Sequence, residues 1–578
     1  MAISGGSPGM ASAESADPIP GIQEVQELGL AWSGTHVGFD FLTQGPRQFV
    51  AFYGPDRHMT VASRLLGSGE WRSAELPSQV LWDSHDFITL AVDRDGHLHV
   101  AGNMHVDPLV YFRTTAPGDV TSLRRIDRMV GRDESSVTYP QFLEGPQGEL
   151  LFLYREGTSG RARHFVNAWD PTQQLWQRLS EEPLFDYGGA PMNAYPVGPL
   201  REGDYFHLTW VWRDGTDART NHDLSYARSR DLVHWETSAG EPIALPMVLA
   251  SPAPSLPAST RGTGRLGQPL APPRAPPGAE VIDPIPVGGG IINGNVRIGF
   301  DRSGRVIVSY HRYDAAGNTQ IYSARREAEG WRIYQVTDWR ERWEIGGSGT
   351  LEYRVRIGAV GVDAAGALVQ SYAHWIHGSG TWVLDEETLR PVGEIATPNP
   401  VPAPLRRASE AGLVTRIRFS RGDDGEVNRS SFLRWETLPR NGDVAPLVVP
   451  PPSPLRLYQL VAGGVSPGCA RDRDRDGVCD DSDNCLAVWN PDQIDADADG
   501  YGNRCDADYD GDGIVGAQDV SLLRRALERS KGDPDYQALA DHDSNDRVDW
   551  ADALFCAREL GRRPGPSGLA CAGRSPCP

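Results

Sequence analysis

From about residue 38 to residue 440, apolar and polar side chains alternate in short runs that stop at Gly, Asp or Asn. A period of two marks a strand with one buried face, and a Gly, Asp or Asn stop between two such runs marks a hairpin. The segments AVDRDGHLHVAGNMH (91–105), GFDRSGRVIVSYHRYDAAGNTQIYSARREAEGW (299–331) and GVDAAGALVQSYAHW (361–375) share one layout. A strand meets a turn, a second strand follows, a third carries Tyr, Ala or Ser and Arg, and a Trp often ends the unit. DYFHLTWVWRDG (204–215), running into NHDLSYARSRDLVHW (221–235), repeats it with another turn. Four-strand units fall near 38–80, 87–130, 139–182, 195–245, 293–340, 355–395 and 412–440. Repetition at roughly 40–60 residues predicts an all-β chain, a seven-bladed β-propeller, with a large β-sandwich as the competing arrangement.

Other stretches lack the pattern. Residues 1–30 begin with a Gly-, Ala-, Ser- and Pro-rich run and are expected to be disordered; they lack the basic and apolar regions of a signal peptide. The proline-rich run SPAPSLPASTRGTGRLGQPLAPPRAPPGAE (251–280) has no periodicity and few large apolar groups, so 250–285 is expected to be a disordered insertion within a catalytic domain of 31–445. A second proline cluster opens a linker, 446–468, to a tail of different character: 469–507, 508–562 and a flexible end, 563–578.

Charge and cysteine usage sharpen this division. The net charge of −21 argues against nucleic acid as a partner, and no run of apolar residues is long enough to span a membrane. From Cys469 onward there are 24 acidic and 13 basic side chains, so the tail is the most acidic part of the chain. All seven cysteines lie there, which excludes a cysteine nucleophile or cysteine-ligated zinc in the larger region. Beside aspartate loops they predict disulfides and a secreted, extracellular protein, with Cys577 the expected unpaired thiol.

The tail repeats Asp-x-Asp-x-Asp-Gly. Its loops carry Asp472, Asp474 and Asp476; Asp495, Asp497 and Asp499; Asp508, Asp510 and Asp512, closed by Asp519; and Asp541, Asp543 and Asn545, closed by Asp552. Alternate residues of a tight loop turn carboxylates inward, as calcium requires with its six to eight oxygen ligands. In the last loop Asp546 stands where glycine is usual, and aspartate tolerates that left-handed position better than most residues. VSLLRRALERS (520–530) and ALFCARELG (553–561) read as short helices after the last two loops. The first half of the tail resembles thrombospondin type 3 repeats, which implies Cys485–Cys505 and Cys469–Cys479 pairs. The second half is similar to a dockerin, which implies a cohesin-like or cell-surface partner.

In the larger region four residues near strand ends stand out: His85 in LWDSHDF, His105 after AGNM, Tyr195 in MNAYP and Arg213 ending HLTWVWR. Each also has a structural reading: His85 bonds its preceding aspartate, Tyr195 packs on Trp210 and Trp212, and Arg213 pairs with Asp214 or Asp217. His97 and His99 alternate along one strand and read as framework. WDSHDF with GNMH, NAYP with HLTWVWR, TNHDLSYARS (220–229) and SYHRYDAAGNTQIY ending in QVTDW (309–339) together resemble BNR-repeat proteins that include the ulvan lyases of polysaccharide lyase families 24 and 25.

That resemblance implies a lyase acting by β-elimination on an acidic, sulfated, uronate-containing polysaccharide such as ulvan. It puts His85, His105, Tyr195 and Arg213 in the site; beside that resemblance, Asn103, His222, Arg297 and His311 are candidates for binding substrate. The structural zinc of those lyases should be missing, since this region has no cysteine. The residue types suit the reaction. An arginine fork neutralises the uronate carboxylate, His105 or Tyr195 takes the C5 proton, Tyr195 protonates the leaving oxygen, and His85 orients and neutralises charge. The alternatives are a glycoside hydrolase, which requires paired carboxylates such as Asp83, Asp86 or Glu352, and a carbohydrate-binding module without catalysis.

Overall fold

The computed structural model describes residues 22–189, 191–249, 279–363, 366–395, 400–410, 412–423, 429–461, 473, 478–488, 490, 493–542 and 546–577. The alternating runs become seven sheets, antiparallel except where Arg421–Asp423 pairs in parallel with Asp40–Gln44, and nearly all built from strands consecutive in the chain. The first holds Asp40–Gln44, Arg47–Tyr53, His58–Leu65 and Arg72–Gln79. The second runs from Ile88–Val92 to Leu123–Arg125. The third pairs His105–Asp107 with the meander Val137–Glu144, Leu150–Thr158, Arg161–Asp170 and Leu175–Arg178. The fourth is centred on Asn193–Glu202, Tyr205–Arg213 and Asn221–Ser229; the fifth and sixth span 297–335 and 355–395.

The seventh sheet joins the two ends of the larger region. Ile22–Ala31 pairs antiparallel with Ser453–Val461, beside Arg429–Thr437 and Val414–Phe419. Residues 22–30, expected in the disordered leader, and 453–461, expected in the linker, are therefore ordered strands. Residues 1–21 and 250–278 lie outside the described residues, while Glu280–Asp283, expected in the insertion, pairs with Asn221–Ser229.

The expectation of a seven-bladed β-propeller is corrected. Among the described residues every sheet stays open, and none curls round to close on itself. The fold is all-β and strand-rich, made of separate small sheets packed through their side chains. Its largest core cluster runs from Ala31 to Trp176 and takes in Leu433, Trp435, Leu455 and Leu457, so the earliest and latest strands share one interior. Phe39 stacks on Trp435 with centroids 4.3 Å apart.

Buried Asp40 reinforces the junction. It accepts hydrogen bonds from the backbone of Phe41 (3.0 Å) and Leu90 (2.8 Å), from Arg418 (2.7 Å) and from Arg421. No helix among the described residues is long and apolar enough to cross a membrane. Asp40→Ala should lower stability to urea by about 2–3 kcal/mol, toward the low end for a broken buried ion pair because both arginines keep part of their hydration. A change under about 0.5 kcal/mol would show that Asp40 does not hold the ends together.

Candidate active-site cleft and acidic tail

The chemistry begins at Asp83, in the loop between the first two sheets. Its Oδ1 accepts from His85 Nδ1 (2.6 Å) and the His85 backbone (2.8 Å), and its Oδ2 meets His105 Nδ1 at 2.5 Å. The two imidazoles stack with centroids 4.2 Å apart. Because an ionised carboxylate only accepts, each Nδ1 donates its proton to Asp83. Burial opposes ionisation of Asp83, but the bonds from His105 and His85 outweigh it and hold the carboxyl well below the usual range. His105 reaches this place because Asn103 (φ 60°) and Val106 (φ 69°) turn the chain out of the second sheet, letting His105–Asp107 pair with the third.

The next two sheets supply the rest. Asn193–Glu202 and Tyr205–Arg213 pair with Asn193 opposite Arg213, which brings Tyr195 and Arg213 to the same sheet end. The Arg213 guanidinium lies 5.6 Å from the Tyr195 ring centroid; it donates to Asn293 Oδ1 (3.4 Å) and the Thr216 carbonyl. Tyr195 Oη is 3.0 Å from Ser159 Oγ. His85, Tyr195 and Arg213 line one cavity of about 380 Å³, with His105 stacked on His85. Three other lining residues, Tyr139, Asn293 and Tyr353, escaped the sequence reading.

Tyr139 carries a clear structural mark. Its φ of 56° falls where the strand register shifts between Thr138 and Gln141, a conformation bulky side chains rarely adopt. It sets the ring 5.8 Å from His85 and 6.4 Å from Tyr195, with the Arg155 guanidinium 4.8 Å away. Burial pushes the phenol up, against the pull of Arg155. The sequence held a signal for it: VTYP (137–140) and NAYP (193–196) repeat a Tyr-Pro pair at the start of neighbouring sheets.

The four expected substrate-binding residues do not join this group in one way. Asn103 is used in its turn, donating to Ser78 Oγ (2.9 Å) and the Gln79 carbonyl (3.1 Å). His222 sits between Asp223 (3.0 Å) and Asp214 (3.2 Å), and Arg297 donates to the carbonyls of Gly294 and Val296. His311 is fully buried, packed 5.2 Å from Trp343, and burial pushes it down to about 4, so it belongs to the interior. His99, by contrast, is framework as expected, bonded to Asp93 (3.1 Å) and Tyr111 (2.7 Å).

In the tail, carboxylate oxygens of Asp495, Asp497 and Asp499 lie within 4.8 Å of one another, as do those of Asp508, Asp510 and Asp519. These clusters suit a divalent cation. Fully buried Asp506 leaves Oδ2 without a partner and Asp497 leaves Oδ1 so, which is costly unless a cation takes them up. Burial, then Asp499 and Asp497, pushes Asp506 up to about 8. Asp512 stands in the Asp508–Asp519 loop, its Oδ1 accepting from the Ile514 backbone; Asp541 accepts from Tyr536 (2.8 Å) and Asp552 from the His542 backbone (2.8 Å). Asp472, Asp474, Asp476, Asp543 and Asn545 lie outside the described residues.

The two helices are Ala517–Ala526 and Trp550–Glu559, each starting earlier than expected with Asp519 or Asp552 in its first turn. Cys485 and Cys505 form a disulfide. Cys479 is also disulfide-bonded; Cys469, its expected partner, lies outside the described residues. Cys577 is not the unpaired thiol: it bonds Cys571, and buried Cys556 is free. The end of the chain folds back on the Asp495–Asp499 loop, with Cys577 N donating to the Ala498 carbonyl (2.7 Å) and Gly573 N to that of Asp499 (2.8 Å).

A profile of BNR repeat-containing family members matches residues 47–339, the stretch that carries His85, His105, Tyr195 and Arg213. The chain belongs to this family. Among solved structures it is similar to the polysaccharide lyase Uly1, at 12% identity and a TM-score of 0.48 over 76% of this chain and 99% of that one. It is also similar to a PL25 ulvan lyase, at 13% and 0.48 over 75% and 95%. Among curated proteins, cartilage oligomeric matrix protein of Mus musculus is 43% identical over 67 residues, and that of Homo sapiens 49% over 77. These stretches are 10% and 12% of this chain, which spans about a tenth of the length of those relatives.

One acid beside the cleft is set for titration. Burial, then Asp83 and Asp107, pushes Asp86 up to about 7 from an ordinary 3.8. The folded state therefore takes up a proton between about pH 4 and pH 7, and the ionised carboxylate destabilises it above that window. Asp86→Asn should raise the urea midpoint more at pH 8 than at pH 5. An equal or smaller gain at pH 8 would show that the carboxylate is not strained.

Proposed function

We propose that the cleft binds a uronate-containing, sulfated polysaccharide of the ulvan type and cleaves it by β-elimination. The observation that carries this reading is the set of groups on one cavity: an imidazole held at Nδ1 by Asp83, a phenol and an arginine fork. Arg213 binds the uronate carboxylate and neutralises the charge that builds on it as the C5 proton leaves. His85 lines the cavity with Nε2 free, which favours it over His105 as the base. As the proton moves to Nε2, the C5–H electrons form the C4–C5 double bond, the C4–O bond breaks, and Tyr195 protonates the departing oxygen. Asp83 steadies the imidazolium so formed, and His105 shares that carboxylate.

Hydrolysis is less well supported. No lining residue of the described cavity is an aspartate or glutamate, whereas a glycosidase sets two of them across the bond. Asp83 is committed to the histidines and Asp86 is buried. We further propose that the tail's cation is calcium and that the protein works outside the cell, where calcium is abundant and disulfides such as Cys485–Cys505 persist.

Incubation with ulvan or glucuronan should raise near-ultraviolet absorbance from an unsaturated uronate. Tyr195→Phe and His85→Ala should each slow that rise by about 100-fold or more. New reducing ends without absorbance would replace elimination with hydrolysis, and silence on every acidic glycan would end the catalytic reading. A chelator should lower the melting temperature of the tail while leaving the rate of absorbance change within twofold; a large loss of rate would tie the cation to the chemistry.

A further inference from the structure

A second pocket, about 390 Å³, adjoins the cleft and is lined by His36, Ser84, Phe87, Arg416, Arg418 and Arg440 among others. It shares Ser84, Phe87 and Arg440 with the cleft, so a long ligand leaving the cleft past Ser84 enters it. Its charge is out of balance. Arg418 is paired with Asp40, but no carboxylate among the described residues pairs with Arg416. Arg416 lies 5.7 Å from the Trp435 ring centroid and touches His36 Nε2. Burial, then the like charges of Arg440, Arg356 and Arg418, pushes it down to about 10.

His36 gives no relief. Burial, then Arg416 and Arg440, pushes it down to about 3, so it stays neutral and accepts from the guanidinium without offsetting its charge. Arg418 Nε is buried without a partner. A half-buried guanidinium among like charges is destabilising for the empty protein, and an anion with two or more oxygens offsets that cost through the guanidinium's paired N–H groups.

We propose that this pocket, with Arg416 at its centre, is a subsite for a second anionic group of the bound glycan, a sulfate ester or a further uronate carboxylate. It rests on the polysaccharide reading above and extends it to substrate choice: the cleft holds the sugar acid that reacts, and Arg416 selects chains with a second negative group nearby. Arg416 touches no reacting atom, so its effect should fall on KM and not on kcat.

The test uses the full chain, Arg416→Gln, and Arg416→Lys, which keeps the charge but loses the fork; circular dichroism checks that each variant folds. On a sulfated uronate polymer Arg416→Gln should raise KM about tenfold with kcat within twofold, as expected for one lost charged hydrogen-bond pair, and Arg416→Lys should fall between. A normal KM for the variant on the desulfated polymer assigns the group as sulfate; an equal rise there assigns it as carboxylate. Inorganic sulfate, titrated at constant ionic strength, should raise the melting temperature of wild type and of Arg213→Ala but not of Arg416→Gln. An unchanged KM together with an equal sulfate response in wild type and Arg416→Gln would overturn the subsite. An Arg416-dependent sulfate response without turnover on any glycan would retain the subsite and remove the lyase reading.

Discussion

The antiparallel pairing of Ile22–Ala31 with Ser453–Val461 is the constraint on which the larger region depends. A chain of consecutive hairpins has no inherent reason to bring its beginning to its end, and each small sheet would otherwise pack only on its sequence neighbours. The first strand completes the last sheet, and Phe39 on Trp435 and Asp40 on Arg418 lock the joint. Asp443, just before the final strand, can then accept from Ser84 (2.7 Å) and from the Thr350 backbone (2.9 Å). Residues far apart in sequence thereby support the loop that holds His85.

Within that frame the site is ordered by a few buried polar contacts. One carboxylate holds two imidazoles by their Nδ1 atoms and so fixes both ring orientations, which side-chain packing alone would not do. Tyr139 is held in an unfavourable backbone conformation, a cost of order 1–3 kcal/mol that the surrounding sheets must offset. Such a cost is tolerable where it aims a ring, and here the ring stands between His85 and Tyr195.

Much of this was legible in the sequence because it is local. Alternation gave the strands, Asp-x-His in WDSHDF gave the Asp83–His85 bond, and Asp-x-Asp-x-Asp-Gly gave the acidic clusters. What was not legible depends on distant parts of the chain. Closure of the strands into one propeller did not follow from their repetition, since pairing within each unit says nothing about how units join. The strand character of 22–31 and 453–461 was hidden because each needs the other as its partner. His311 was misjudged because inward-facing positions near a strand end open into a cleft or into a sealed interior according to neighbours such as Trp343. Arg155 and Arg416 drew no attention in a chain whose basic residues are nearly all arginine.

The fold-back of the C-terminus onto the Asp495–Asp499 loop links two maturation events. The Cys571–Cys577 bridge shapes the segment whose amides cap the carbonyls of Ala498 and Asp499, and a cation would draw the carboxylates of that loop together. Whichever event happens first restricts the loop's freedom and leaves less entropy to be lost in the other, so oxidation and ion loading reinforce each other in both directions. The tail would thus be most rigid where the bridge is oxidised and the loop holds its ion.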